Sequence, residues 1–169
     1  MIYRLLSKKT KILGYLVVLN LLFFQKLAAI EIIISNKKES FIVSLAQTDE
    51  EKKRGLMFVK NLEDTNGMLF LYKKEKILKM WMKDTFLDLD VIFIDKNFKI
   101  SSIKKGNKLT TDIIFSDRPV IAVLEIPSEC NKKIKLQVGQ SLYWNKISKK
   151  DHSYYSKFRK EFFPCIKYK

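Results

Sequence analysis

Between residues 31 and 147 the apolar residues come in short runs, and turn chemistry breaks nearly every one of them. Runs of roughly four to eight residues suit strands, because helices need ten or more. Residues 31–35 and 41–46 read as the first two strands, joined by Asn36-Lys37-Lys38-Glu39. In the second, Phe41, Val43 and Leu45 alternate with Ile42, Ser44 and Ala46, the period of a half-buried strand. Further strands are predicted at 68–72, 77–82, 91–94, 98–104, 110–115, 120–126 and 141–147. Asn66-Gly67, Asp95-Lys96-Asn97 and Gly106-Asn107 supply turns between them. Residues 91–94 are apolar on both faces, which predicts a central strand. One stretch opens a helix. Thr48 and Glu51 have capping-box spacing, and Asp49 and Glu50 sit in the first turn, where the helix dipole favours acids. The pattern predicts a short helix of about three turns. Many short strands with one helix make a mainly β fold, a small β-sandwich or barrel-like domain.

A different pattern precedes this domain. Arg4, Lys8, Lys9 and Lys11 form a positive segment, residues 12–24 are apolar apart from Asn20, and Leu27-Ala28-Ala29 follows Gln25 and Lys26. That is the order of a secretory signal. As a helix the apolar run would reach only about 20 Å, short of the ~30 Å hydrocarbon core. Residues 1–29 are therefore expected to be a signal peptide cut after Ala29, or an anchor if uncut. Residues 30–147 form the β-rich domain, and 148–169 a basic, aromatic tail. The expected location is periplasmic or secreted, or membrane-anchored if the signal stays.

The formal charge of +15 looks like a nucleic-acid signature, but its distribution argues against one. Arg4, Arg54, Arg118 and Arg159 are the only arginines among 33 basic residues. Most of the excess lies in the N-terminal segment and the tail. Nucleic acid is thus not an expected partner, and membrane contact is expected only through the N-terminal segment or the tail. The single histidine, His152, lies in the tail, so no Ser/His/Asp or Cys/His arrangement, metal site or cofactor is expected. Cys130 and Cys165 are the only cysteines, and in an exported chain they are expected to form a disulfide.

Polar residues placed against apolar runs mark the candidate site. Asp90 is bracketed by Leu89 and Val91, and Glu125 by Leu124 and Ile126. A carboxylate entering such a strand needs a partner, and the planar fork of Arg54 fits carboxylates. Two readings stay open: a buried Arg–carboxylate network that holds the fold, or a pocket in which Asp90 and Glu125 face a ligand beside Trp81, Asp84 and Thr85. Trp81 is either core or a stacking platform. Met57, Met68, Met80 and Met82 could bind Cu(I) as thioethers, but Met80 and Met82 share a face with Leu78, as core residues do.

The order of motifs carries a resemblance. Arg54-Gly55-Leu56-Met57, Gly67-Met68-Leu69-Phe70, Trp81-Met82-Lys83-Asp84-Thr85, 89–95, Val123-Leu124-Glu125-Ile126 and Val138-Gly139 follow one another. This resembles the bacterial family catalogued as domain of unknown function 192, often exported, over roughly residues 42–143. The resemblance implies a compact β-sandwich and brings no established activity. The chain departs from the family at Asp84 (commonly Asn), Asp88 (commonly Pro), near Ser128 and Glu129 (commonly a Gly) and at Gln140 (commonly Asp).

The leading expectation for function is a non-catalytic exported binding or interaction module for an unknown ligand or cell-envelope partner. The alternatives are an acid/base glycan hydrolase with Asp90 and Glu125 as paired carboxylates, and a Cu(I) carrier.

Two outcomes follow from the sequence. Expressed in a Gram-negative host, the protein should appear in the periplasm with Ile30 at its N-terminus; an intact mass showing an uncut chain in the membrane would refute cleavage. Non-reducing peptide mapping should find Cys130 joined to Cys165. Closing that loop would stabilise the fold by about 4 kcal/mol on the chain-entropy account, and two free thiols in periplasmic material would refute the bridge.

Overall fold

All nine strands anticipated from the sequence form in the computed structural model, which describes residues 30–35, 40–62 and 65–147. They are β1 (Ile30–Ser35), β2 (Ser40–Ala46), β3 (Met68–Lys76), β4 (Lys79–Met80), β5 (Leu89–Ile94), β6 (Ile100–Gly106), β7 (Ile114–Phe115), β8 (Val120–Pro127) and β9 (Tyr143–Lys146). Seven of them make one mixed sheet in the order β6-β5-β8-β3-β2-β1-β9, and β4 and β7 pair as a separate two-stranded ribbon. The sheet curls into a half-barrel, so the barrel-like form of the expected fold is the one realised. The segment expected to be a signal, the tail and Cys165 lie outside the described residues. Cys130 is buried.

The capping box at Thr48 forms as the spacing requires. Glu51 N–H donates to Thr48 Oγ1 at 3.2 Å, and Thr48 N–H donates to Glu51 Oε2 at 2.8 Å. Thr48 N–H and Gln47 N–H, the latter also donating to Glu51 Oε2 at 2.7 Å, hold the Glu51 carboxyl below its ordinary pKa. The resulting helix, α1 (Asp49–Arg54), is six residues long, shorter than the three turns expected. Gly55 ends it with φ +48, and its missing Cβ lets the Phe70 ring pack close behind. The chain then crosses back so that β3 runs parallel to β2, with Ser44 opposite Met68. A parallel neighbour needs such a crossover, and α1 lies on it.

A second helix, α2 (Ser128–Ile134), follows β8 directly and was not anticipated. It has no side-chain cap, and it stops at Lys135 in the left-handed region. Neither end therefore leaves a sequence signal. Cys130 and Ile134 from α2 pack onto one face of the sheet with Leu136 and Leu142. The opposite face carries Phe70, Val91, Phe93 and Val123, covered by Leu78 and Met80. At one end of that face Leu56, Met82 and Leu89 form a smaller cluster. The strand predicted to be central, β5, lies between β6 and β8 and is buried along its whole length. Full burial of each such aliphatic or aromatic side chain contributes roughly 1.5–3 kcal/mol.

Asn66-Gly67 docks against β2 and β8 together. Asn66 N–H donates to Ile42 O at 2.7 Å, and Ser44 N–H donates to Gly67 O at 2.9 Å. A Cβ on Gly67 would lie 2.0 Å from the main-chain oxygen of Glu125. Backbone meets backbone there, so no side-chain rotation relieves the clash. Gly67→Ala should therefore destabilise the protein by about 3 kcal/mol or more, read as a shift of the urea midpoint.

Candidate functional site

The pairing of β5 with β8 decides what the two strand carboxylates can do. Val91 stands opposite Glu125 and Asp90 opposite Ile126. Side chains alternate faces along a strand, so Asp90 and Glu125 point to opposite faces of the sheet. The expected single cluster of Arg54, Asp90 and Glu125 does not form. A glycosidase needs both carboxyls in one cleft, and this register denies it.

Asp90 belongs to the face covered by α2. Its carboxylate accepts from Lys105 Nζ and Ser128 Oγ at 2.6 Å each and from Asn131 Nδ2 at 2.7 Å. Asn131 Oδ1 in turn accepts from Leu136 N–H at 3.0 Å. Asp90 is 2 % exposed. Burial pushes its pKa up, but the bonds from Lys105, Ser128 and Asn131 outweigh burial and hold it below the ordinary carboxylate value. The arrangement anchors α2 to the sheet. The partner expected from the sequence, Arg54, is exposed at the end of α1 and makes no ion pair among the described residues. Lys105 reaches Asp90 instead because it stands directly opposite on β6.

Glu125 lies on the other face, between Met68 and Val91, and is 4 % exposed. Its side chain makes no hydrogen bond or ion pair among the described residues, and burial raises its pKa to about 8. It is therefore mostly a neutral acid at pH 7. Burial raises the Tyr72 hydroxyl as well, and the charge of Glu125 adds to that rise.

Above the Leu56–Met82–Leu89 cluster three loops are tied together through the main chain. Phe58 N–H donates to Asp84 O at 2.8 Å, and Leu109 N–H donates to Thr85 O at 3.0 Å. Lys108 N–H donates to Asp88 Oδ1 at 2.9 Å. Phe58, Asp84 and Leu109 all adopt positive φ, at 64°, 55° and 63°. For Phe and Leu this conformation is strained, and such strain concentrates at ligand contacts and switches. Asp tolerates it, as Asn does, so the Asn-to-Asp departure at position 84 keeps the backbone geometry. Thr85 is buried, with its N–H on Met82 O and its hydroxyl donating to Lys83 O.

The three loops turn apolar side chains to solvent. Phe58 is 63 % and Leu109 55 % exposed, and Trp81 and Phe86 are exposed as well. Trp81 is thus no core residue; the ammonium of Lys83 lies 5.5 Å from its ring centre. Of the expected site residues, Trp81, Asp84 and Thr85 share this loop region, Arg54 stands exposed at the end of α1, and Asp90 is on the far face. Met80 and Met82 are buried in two separate core clusters, as expected for packing and not for a copper carrier. Among the described residues no group of three or more His, Cys, Asp or Glu could hold a metal ion. Sequence reasoning missed Phe58, Asp88, Lys105, Leu109, Ser128 and Asn131. The Gly106-Asn107 turn was the one available hint to the third loop.

The family model for DUF192, described as uncharacterised, matches residues 31–144. None of the curated proteins searched matches the chain. Among solved structures, a "putative transcription regulator" from Sinorhizobium meliloti 1021 is similar at 28 % identity and a TM-score of 0.62, covering 69 % of this chain and 94 % of that one. A protein of unknown function from Novosphingobium aromaticivorans DSM 12444 shares the fold at 24 % identity and a TM-score of 0.62, covering 71 % and 90 %.

The two carboxylates give opposite pH dependences. Glu125 binds its proton more tightly in the folded chain than at its ordinary value of 4.5. Its contribution is full below about pH 4.5 and falls as pH rises toward 8, by about 3 kcal/mol at pH 7. Glu125→Gln should flatten that slope and raise the melting temperature at pH 7–8. Asp90, with its pKa lowered, contributes above the ordinary aspartate range and loses that contribution as pH falls through its folded pKa. Asp90→Asn should therefore weaken the fold at neutral pH, whereas Arg54→Ala should change stability by less than about 0.5 kcal/mol. Melts of the three variants from pH 3 to 9 check all of this.

Proposed function

The chain belongs to the DUF192 family, and on that premise we propose that it is an exported, non-catalytic interaction module of the cell envelope. Its binding face is the three-loop surface of Phe58, Trp81, Phe86 and Leu109. One observation carries this reading: two large apolar residues, Phe58 and Leu109, are held in strained left-handed backbone and turned outward, each by a main-chain bond to the same Asp84–Thr85 segment. Packing of the core gains nothing from that posture, while a partner gains rigid apolar anchors at low entropic cost. The partner is expected to be a protein with a complementary apolar surface.

In the same reading the signal delivers the domain to the periplasm, and a Cys130–Cys165 bridge fastens the tail to α2. The regulator designation of the Sinorhizobium relative is not carried over. The loop face mixes Lys83 and Lys108 with Asp84 and Asp88, and phosphate contacts call for a surface of one sign.

A photo-crosslinking residue placed at Phe58, Phe86 or Leu109 in periplasmic protein should give a discrete adduct in intact cells. The same residue at exposed Lys135, on the α2 side, should not. Adducts at Lys135 alone, or none at any position in correctly exported protein, would overturn the proposal.

A further inference from the structure

The ribbon of β4 and β7 covers one face of the sheet, and the cover is thin. Each strand has two residues, paired as Lys79 with Phe115 and Met80 with Ile114. Leu78 and Ser116 extend the tie: Ser116 N–H donates to Leu78 O at 3.0 Å, and Leu78 N–H donates to Ser116 Oγ at 2.9 Å. Among the described residues no strand of the main sheet pairs with the ribbon. Side chains hold it down, Leu78 and Met80 in one buried cluster and Met82 in the next.

Glu125 lies on the face under this cover. Met68 and Ile114 each pack against both clusters, and Glu125 stands between Met68 and Val91, so its side chain enters the face where the clusters meet. No neighbour takes up a charge there. Tyr72 of β3 is the titratable group that the carboxyl influences, and Asp49 of α1 acts on the same phenol. Lys52 of α1 and Lys76 of β3 are drawn to the Tyr72 ring, and Lys79 of β4 to the Phe115 ring. Lys104 of β6 is paired with Asp117, and Asp90 of β5 bonds Lys105 on the opposite face. None of these bonds Glu125 among the described residues, and burial alone sets its proton affinity. An ionised Glu125 must therefore be hydrated. Water reaches it with least disruption by displacing the ribbon, because the alternative is to part the strands of the sheet.

The ribbon runs directly into the loop face. Trp81 follows Met80, and Thr85 N–H donates to Met82 O at 3.1 Å. The Asp84–Thr85 segment in turn holds Phe58 and Leu109 through their main-chain bonds. We infer that Glu125 is a proton switch for the three-loop face. With its proton in place the ribbon closes on the sheet and fixes Trp81 and the Asp84–Thr85 segment; without it the ribbon lifts, and the apolar anchors lose their fixed posture. The inference rests on the reading of that face as a binding surface and adds its regulation: a partner binds the protonated form more tightly.

The test is amide hydrogen exchange of the mature protein from pH 5 to 9, with rates corrected for intrinsic base catalysis. Leu78 and Ser116 report the ribbon, Phe58, Thr85 and Leu109 the loop face, and Ile92 and Leu124 the sheet. An opening that hydrates the carboxyl returns its pKa from about 8 to the ordinary 4.5. Protection of ribbon and loop face should therefore fall about tenfold per pH unit between about pH 5 and 8 and level off above. Because the opening is local, these amides should exchange at least about tenfold faster than Ile92 and Leu124 and ignore urea well below the unfolding midpoint. Glu125→Gln should remove the pH slope, and Glu125→Met serves if the glutamine variant fails to fold. The inference is overturned if the slope persists in these variants, or if wild-type protection is independent of pH, which means that the carboxyl ionises in place. It is also overturned if the ribbon exchanges only together with Ile92 and Leu124, or if the ribbon responds and Phe58, Thr85 and Leu109 do not. Failure of the loop face as a binding surface is read separately, from missing adducts in the crosslinking experiment.

Discussion

The register between β5 and β8 is the constraint on which the rest of the molecule depends. With Val91 opposite Glu125, one row of side chains goes to the face under α2 and the next row to the face under the β4–β7 ribbon. A slip of one residue would exchange the rows. Asp90 would leave the three donors that hold it, and Glu125 would move beneath α2. Strong apolar rows on both sides make such a slip very costly. They also explain how a carboxyl with no partner among the described residues can persist in the interior: its neighbours fix the strand whatever its own protonation state.

The two acids illustrate how one sheet treats the same functional group in opposite ways. Asp90 stands at the end of β5, where a neighbouring lysine and the first turn of α2 are within reach. Glu125 stands one residue further into the apolar part of β8, flanked across the sheet by Met68 and Val91. One becomes a charged anchor and the other a neutral acid. Neither arrangement is that of a general acid/base pair, and the family match brings no activity that would require one.

The strands were legible because their signals are local. Alternation in residues 41–46, the doubly apolar 91–94 and the Asn66-Gly67 turn each name an element without knowledge of its neighbours, and the capping box at Thr48 forms as its spacing dictates. What was not legible depended on pairing. Nothing in the sequence near Asp90 says that Lys105 will stand across from it, so Arg54, the residue with the better chemistry, was the natural expectation and was wrong. The loop face was half legible. Trp81, Asp84 and Thr85 stood out as a motif, but a left-handed Phe58 or Leu109 has no sequence signature, because those residue types ordinarily avoid that conformation. The helix α2 was invisible for a related reason: its ends are set by Pro127 and Lys135 without side-chain caps.

The strand order also governs when the domain can exist at all. β8 lies between β3 and β5, and β1 lies between β2 and β9. The strands made early thus wait for partners made late, and no half of the sheet is complete without residues from beyond position 120. Such non-local pairing slows folding, since long loops must close before their contacts are gained. On the export route proposed above, with the N-terminus threading first, such slowness would be an advantage.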